Sequence, residues 1–251
     1  MIAARLPIDH RVTAIPLYIQ ISEGLLEQIE SGALVPGDRL PPERELSESL
    51  GVNRMTLRQA LHALEIQGLI TRRQGSGTYV TEPKIEREAG RLFPFTKGIQ
   101  RRGYLPGAQV IMLEQQPAEV ALANKLQISV STSVYRGHRL RFINQQPMML
   151  EKFFLPAHRF PRFEIHDLES RSIYEVMETE YGYVVNRAQQ RLEAVTATVY
   201  EAGLLGVKPG APLMLEQRLT FTQNDQPVEY AKDVYRGDRF RFVTELAALE
   251  L

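Results

Sequence analysis

The stretch Pro41-Pro-Glu-Arg-Glu-Leu-Ser-Glu-Ser-Leu-Gly-Val-Asn-Arg-Met-Thr-Leu-Arg-Gln-Ala-Leu-His-Ala-Leu64 decides the reading of this chain. Pro41 and the acids Glu43 and Glu45 suit a first helical turn, where proline forfeits no hydrogen bond and carboxylates meet the positive end of the dipole. Leu46 and Leu50 supply the buried stripe of that helix. Gly51-Val52-Asn53 reads as a tight turn, with Asn53 placed to cap the next helix. There Leu57, Ala60, Leu61 and Leu64 recur at i, i+3, i+4 and i+7, one apolar face, while Arg54, Met55, Arg58, Gln59 and His62 fall on the others. Exposed Arg and Gln usually mark a solvated face. Arg54, however, sits in the first turn, where the dipole disfavours a cation and stability gives no reason for it. DNA supplies one, because a recognition helix presents its N-terminal residues to base edges. Arg58, one turn on, shares that face.

Upstream, Leu17, Ile21, Leu25 and Ile29 recur every four positions between Pro16 and Ser31, and Gly32 stops the run, which predicts an amphipathic helix. Leu34–Leu40 is a turn and short connection. Beyond Gly68, Leu69–Arg73 and Thr78–Thr81 are β-like runs around Gln74-Gly-Ser-Gly77, a hairpin that follows the recognition helix as a wing. Arg72, Arg73 and the open amides of Gly75 and Gly77 are suited to phosphates.

Composition narrows the remaining choices. The 251 residues suffice for one large or two modest domains without staples. There is no cysteine, which removes disulfide frameworks, thiolate metal sites and cysteine nucleophiles. Thirty basic and thirty acidic residues cancel, so any nucleic-acid contact must be a local patch. Residues 1–80 hold eight arginines and no lysine, which suits phosphate and guanine contact or is only codon bias, since Arg outnumbers Lys 24 to 6 throughout. No apolar run reaches signal-peptide length at the start or about 18 residues anywhere, so no membrane span is expected and the cytoplasm is the expected compartment.

The remainder reads as α+β. Residues 82–95 are charged, contain two prolines and read as a linker with a short helical or extended piece. Alternating strand patterns follow, with helices over Ser172–Tyr181 and Thr196–Leu205, each closed by glycine; the cap of the second is either Thr196 or Thr198, the latter with Glu201 at capping-box spacing. Arg139–Met148 parallels Arg218–Val228 with one insertion, and Val134–Phe142 matches Val234–Phe242 at seven of nine positions. Two readings stand: convergent hairpins, or a pseudo-symmetric pair enclosing a cleft. Strand period two puts Arg139 and Arg141 on one face, with Glu151 on the return strand as partner. An exposed Arg–Glu lattice and an anion site both fit that spacing.

Residues 16–80 resemble the winged helix-turn-helix of GntR-type bacterial transcription regulators, through Pro16-Leu-Tyr-Ile-Gln20, Gly37–Leu46, Gly51–Ala60, Leu64, Gly68-Leu-Ile70 and Gly75–Val80. The resemblance implies DNA contact from Arg44, Arg54, Thr56, Arg58 and Gly77, and Met55 occupies a position expected to tune operator sequence. With the residues read directly, the expected DNA-facing set is Arg44, Asn53, Arg54, Met55, Thr56, Arg58, Arg72, Arg73, Ser76 and Gly77. Residues from about Phe95 to Phe242 resemble the effector-binding domain of the HutC branch of that family, a chorismate-lyase-like antiparallel-sheet fold, through Phe95-Thr96, Arg139-Leu-Arg141, Gln146-Pro147, Glu151–Pro156, Ser172-Ile-Tyr174, Tyr181-Gly182, Pro227–Tyr230 and Tyr235–Arg239. That resemblance implies an effector pocket lined by Thr96, Arg139, Arg141, Glu151, Ser172, Tyr174, Glu229 and Tyr235. Relatives more often carry a Ser-Phe-Thr/Ser-Glu-Asp pattern where this chain has Leu92–Gly98, so Lys97 and Gly98 depart from it at one wall.

The expected organisation is a winged helix-turn-helix over 11–81, a linker over 82–95 and an effector-binding domain over 96–245. The expected function is a metabolite-responsive repressor, dimeric on a palindromic double-stranded operator and released by a small carboxylated or phosphorylated effector, with no cofactor or metal. One short recognition helix reads too few base pairs alone, which is why a homodimer is expected. The alternative is an enzyme of the chorismate-lyase type acting on a small carboxylic acid. Against it, no nucleophile–base constellation or metal-ligand spacing is found and the histidines at 10, 62, 138, 158 and 166 are scattered. An architectural DNA-binding protein would not need so large a second domain.

Overall fold

The computed structural model describes residues 15–245 except Gln74 and Pro83. The segment 11–14, Gln74 of the wing turn and Pro83 of the linker therefore lie outside the described residues. The chain divides into two units at Ile85/Glu86, inside the stretch read as a linker.

The first unit holds α1 (Leu17–Glu30), α2 (Glu43–Ser49), α3 (Arg54–Ile66) and a hairpin of β1 (Ile70–Arg73) and β2 (Gly77–Val80). Its core is built from Ile21 and Leu25 of α1, Leu46 of α2, Leu57, Ala60, Leu61 and Leu64 of α3, and Ile70 and Val80 of the hairpin. Leu17 and Ile29, which complete the four-residue repeat of α1, are only half-buried. The cap of α3 is Asn53, whose Oδ1 accepts from the Thr56 amide at 2.8 Å. The second helix begins at Glu43 rather than Pro41, because Pro42 is still extended at ψ 142°.

The second unit is a six-stranded antiparallel sheet in the order β4-β5-β6-β9-β8-β7. Its strands are β4 (Pro106–Pro117), β5 (Ser133–Ile143), β6 (Gln146–Pro156), β7 (Val185–Thr196), β8 (Pro212–Thr222) and β9 (Pro227–Arg236). Four helices accompany it: α4 (Phe95–Gln100), α5 (Val120–Leu126), α6 (Ile173–Tyr181) and α7 (Val199–Leu205). Strand, short helix and hairpin occur twice, as β4-α5-β5-β6 and β7-α7-β8-β9, meeting where Lys152 pairs with Lys232. The parallel between Arg139–Met148 and Arg218–Val228 is thus a duplication of structure. The stronger echo misleads: Val134–Phe142 is uninterrupted strand within β5, whereas Val234–Phe242 leaves β9, turns through Gly237–Arg239 and enters β10 (Phe240–Val243).

One further boundary differs from the sequence reading. The helix expected from Thr196 begins at Val199, because Thr196 still pairs with Pro212 at the end of β7. Thr198 makes the cap, and its capping box with Glu201 is complete. Within the 82–95 stretch, read as a linker with a short helical or extended piece, the piece is extended. Ile85–Glu88 forms β3, which pairs with β10 in a separate two-stranded ribbon, and the Ala89 amide donates to Val243 at 2.7 Å.

Candidate functional site

In the first unit α3 and the wing carry a row of exposed cations. Arg54, Met55 and Arg58 are exposed on α3, Arg44 on α2, and Arg72, Arg73 and Ser76 on the hairpin. Thr56 is half-buried. Arg58 does not wait unpaired: its Nε donates to Glu43 at 2.7 Å, which raises its pKa, and Arg72 lies 3.9 Å from the same carboxylate. Arg39 joins Arg72, Arg73 and Gly75–Thr78 around a groove beside the wing. Gly77 makes room for it, since a Cβ there would lie 2.7 Å from Arg39 Nε, and the residue's φ of +125° suits glycine alone.

In the second unit the registers align one rung across four strands: Arg139 opposite Glu151, Glu151 opposite Asp233, and Asp233 opposite Glu216. Three carboxyl groups side by side repel unless cations or protons intervene. Arg139 meets Glu151 Oε2 through Nε at 2.8 Å and Nη2 at 2.5 Å, and its Nη1 donates to the carbonyls of Leu168 and Arg171. Arg141 reaches the same Oε2 at 3.3 Å and donates to Thr96 Oγ1 at 2.9 Å, its guanidinium stacked 4.7 Å from the Phe95 ring. Arg218 pairs with Glu216 at 3.0 Å and Asp233 at 3.1 Å. Glu229 accepts from Thr220 at 2.7 Å and Tyr174 at 2.8 Å.

Burial alone would lift the Glu151 carboxyl, but the Arg139 and Arg141 guanidiniums outweigh it and hold the group at about 2. Asp233 goes the other way: burial pushes it well above the usual carboxylate range, and Glu151, Glu216 and Glu229 reinforce the shift against Arg218. Four guanidiniums, of Arg87, Arg139, Arg141 and Arg218, share the floor with the three carboxyl groups of Glu151, Glu229 and Asp233. Burial likewise pushes the Tyr174 and Tyr235 hydroxyls well up, so both remain hydrogen-bond donors. The cleft above this floor is walled by Leu92–Phe95 and Ser172–Tyr174. Its cavity volume is about 20 Å³, so as the side chains stand it holds little more than one water molecule.

Comparison with known proteins now assigns both units. Residues 17–80 match the gntR family of bacterial regulatory proteins, and residues 101–241 match the UTRA domain. The chain is 39% identical over 234 residues, 93% of its length and 96% of the relative's, to the HTH-type transcriptional repressor NagR of Bacillus subtilis (strain 168). The chain belongs to the GntR family. It is also 30% identical to the histidine utilization repressor of Pseudomonas putida, over 90% of each chain, in keeping with the HutC branch. The crystal structure of PhnF from Mycobacterium smegmatis superposes with a TM-score of 0.66 at 29% identity, covering 91% of this chain and 100% of that one. This GntR protein is a metabolite-responsive DNA-binding transcription regulator and not an enzyme.

Of the residues that resemblance placed in the UTRA pocket, all but Thr96 line the cleft, and Thr96 touches it through Arg141. Arg139, Arg141 and Glu151 are buried, so the exposed-lattice reading of these three falls. Arg87, Glu216, Arg218 and Asp233 were not anticipated. Arg218 was legible as the counterpart of Arg139 in the duplicated hairpin. The others depend on registers between distant strands, and nothing local marks them. In the GntR unit the sequence reading missed Arg39 and the pairing of Glu43 with Arg58, both set by how the wing and α2 fold back on α3.

Proposed function

We propose that this regulator is a cytoplasmic homodimeric repressor that leaves a palindromic operator when a small carboxylated or phosphorylated metabolite enters the UTRA cleft. The observation that carries the proposal is the floor on which Arg87, Arg139, Arg141 and Arg218 stand beside the carboxyl groups of Glu151, Glu229 and Asp233. Such a floor favours an anion, and its carboxylates, with Tyr174 and Tyr235, suit hydroxyl groups on the same ligand. Arg141 is the chief anion contact. Arg139 already spends four donor contacts on the protein and holds Glu151 in place. Screening phosphorylated and carboxylated metabolites against the full chain by thermal shift, then by operator release, tests this. The expected result is release without turnover of the ligand. A regulator that no anion stabilises or releases, or one that sediments as a monomer at micromolar concentration, would overturn it.

For DNA, Arg54 and Arg58 are assigned to base edges, Met55 to tuning them, Asn53 and Thr56 to the helix start, and Arg44, Arg72, Arg73, Ser76 and Gly77 to the backbone. Arg54→Ala and Arg58→Ala should each cost about 1–3 kcal/mol and relax sequence preference. Arg72→Ala and Arg73→Ala should weaken all sequences alike and reduce the salt slope by roughly one. Affinity titrations at several salt concentrations, on an operator selected from random duplexes, check both. Unchanged affinity in both α3 variants would refute the base assignment.

A further inference from the structure

Arg87 is a half-buried cation that none of the sequence motifs uses. It lies on β3, seven residues beyond Val80 at the end of the wing, yet its side chain is only 18% exposed and reaches the cleft floor. Its Nη2 stands 3.3 Å and 3.5 Å from the two oxygens of Glu216, and its guanidinium lies 5.2 Å from the Tyr235 ring centroid. Phe240 and Phe242 of β10 pack on the same ring, at 5.1 and 5.2 Å between centroids. The β3–β10 ribbon thus rests on the floor through Tyr235 and is pinned there by Arg87.

The contacts of Glu216 are unequal. Tyr235 donates to Oε2 at 2.7 Å and Arg218 to Oε1 at 3.0 Å, both shorter than either approach of Arg87. Arg87 is the partner that Glu216 releases at least cost, since two good donors stay behind on a fully buried carboxylate. The cleft is also too narrow to fill without moving side chains, and Arg87 lies on its lining together with the wall Leu92–Phe95 that follows β3.

We propose that the Arg87–Glu216 contact is a latch that holds the β3–β10 ribbon in its operator-binding arrangement, and that an anionic effector opens it by taking Arg87 from Glu216. Arg87 is thereby a positioning residue: it acts on DNA affinity through β3, which lies in the chain between the wing and the six-stranded sheet. The latch rests on the effector-cleft reading above for its trigger, but its existence is testable without any effector. An effector shifts affinity only through contacts that differ between two states, and this contact is one that ligand entry can exchange.

The test is a double-mutant cycle on the full chain, read as affinity for a duplex selected from a random pool with the wild-type protein, no ligand being added. Arg87→Gln and Glu216→Gln, both close in shape to the originals, should each weaken binding about tenfold, and the double variant should lose less than twofold more. Arg87→Lys should restore affinity to within about threefold of wild type. The salt slope and base preference should not move in any of them, since the DNA-facing residues are intact; a general loss of fold would not give this non-additive pattern. Wild-type affinity in Arg87→Gln, or single losses that multiply to about a hundredfold, would overturn the latch. A wild-type protein that no anion releases would sink the effector reading alone, whereas release of wild type with an inert Arg87→Gln would sink the latch alone.

Discussion

Replacing Arg139 by alanine should cost about 3–5 kcal/mol and leave the UTRA unit marginal at 37 °C, because removing one partner of a buried ion pair strands the other. Arg139 is 1% exposed and Glu151 is 7% exposed. Without Arg139, the Glu151 carboxylate keeps only the 3.3 Å contact with Arg141, and the Leu168 carbonyl loses its 2.6 Å donor. The side chain also lies over Phe153, whose ring crosses β5 only because Gly137 has no Cβ; one would sit within 1.9 Å of it. Urea unfolding followed at the UTRA transition measures the loss, and Arg139→Met with Glu151→Met should recover much of it by removing both charges. A loss below about 0.5 kcal/mol in Arg139→Ala would show that the pair contributes nothing beyond its desolvation cost.

The same pair sets part of the acid limb. The native Glu151 value of about 2 lies below the ordinary 4.5, so its contribution is complete above pH 4.5 and is lost as pH falls through about 2. Taking Arg139 away raises the native value towards the ordinary one, so stability should depend less on pH in that window. Asp233 has the opposite sign: its raised value favours folding below its ordinary 3.8, and that contribution disappears as pH rises through the native value. Asp233→Asn, which cannot ionise, should therefore remove that part of the pH dependence.

The ease of reading differed sharply between the two units, for physical reasons. In α3 the apolar face, the Asn53 cap and the out-of-place Arg54 all lie within fourteen residues, so local periodicity carries the whole argument. Arg139, Arg141 and Glu151 were legible because strand alternation and one tight turn join them. The rung that continues through Asp233 to Glu216 depends on β6 pairing with β9, some eighty residues later, and no local pattern encodes that register. β3 was hidden for the same reason: four residues within a charged stretch become a strand only because β10 lies beside them. The nine-residue echo shows the converse hazard, since near-identical sequences run straight through β5 and around a corner after β9.

Arg141→Gln should separate effector response from DNA binding. Arg141 has fewer strong partners than Arg139: a long 3.4 Å approach to the Gly107 carbonyl, 3.3 Å to Glu151 and 2.9 Å to Thr96. Hydrogens on both terminal nitrogens remain for a ligand. A charge-assisted bond is worth about 1.5–3 kcal/mol, so losing it should raise the releasing concentration of an anionic effector about 10- to 150-fold. Affinity for the operator in its absence should stay within about twofold, because the helix-turn-helix unit is untouched. Thr96 makes the coupling direct, since it follows the cleft wall Leu92–Phe95 and so belongs to the chain segment that continues from β3. Thr96→Val should give a weaker form of the same defect, removing a neutral hydroxyl while leaving the guanidinium. Gel-shift titration of both variants, with whichever anion releases wild type, decides the point: release at the wild-type concentration in Arg141→Gln would mean that the anion is held elsewhere on the floor and that Arg141 serves only to neutralise Glu151.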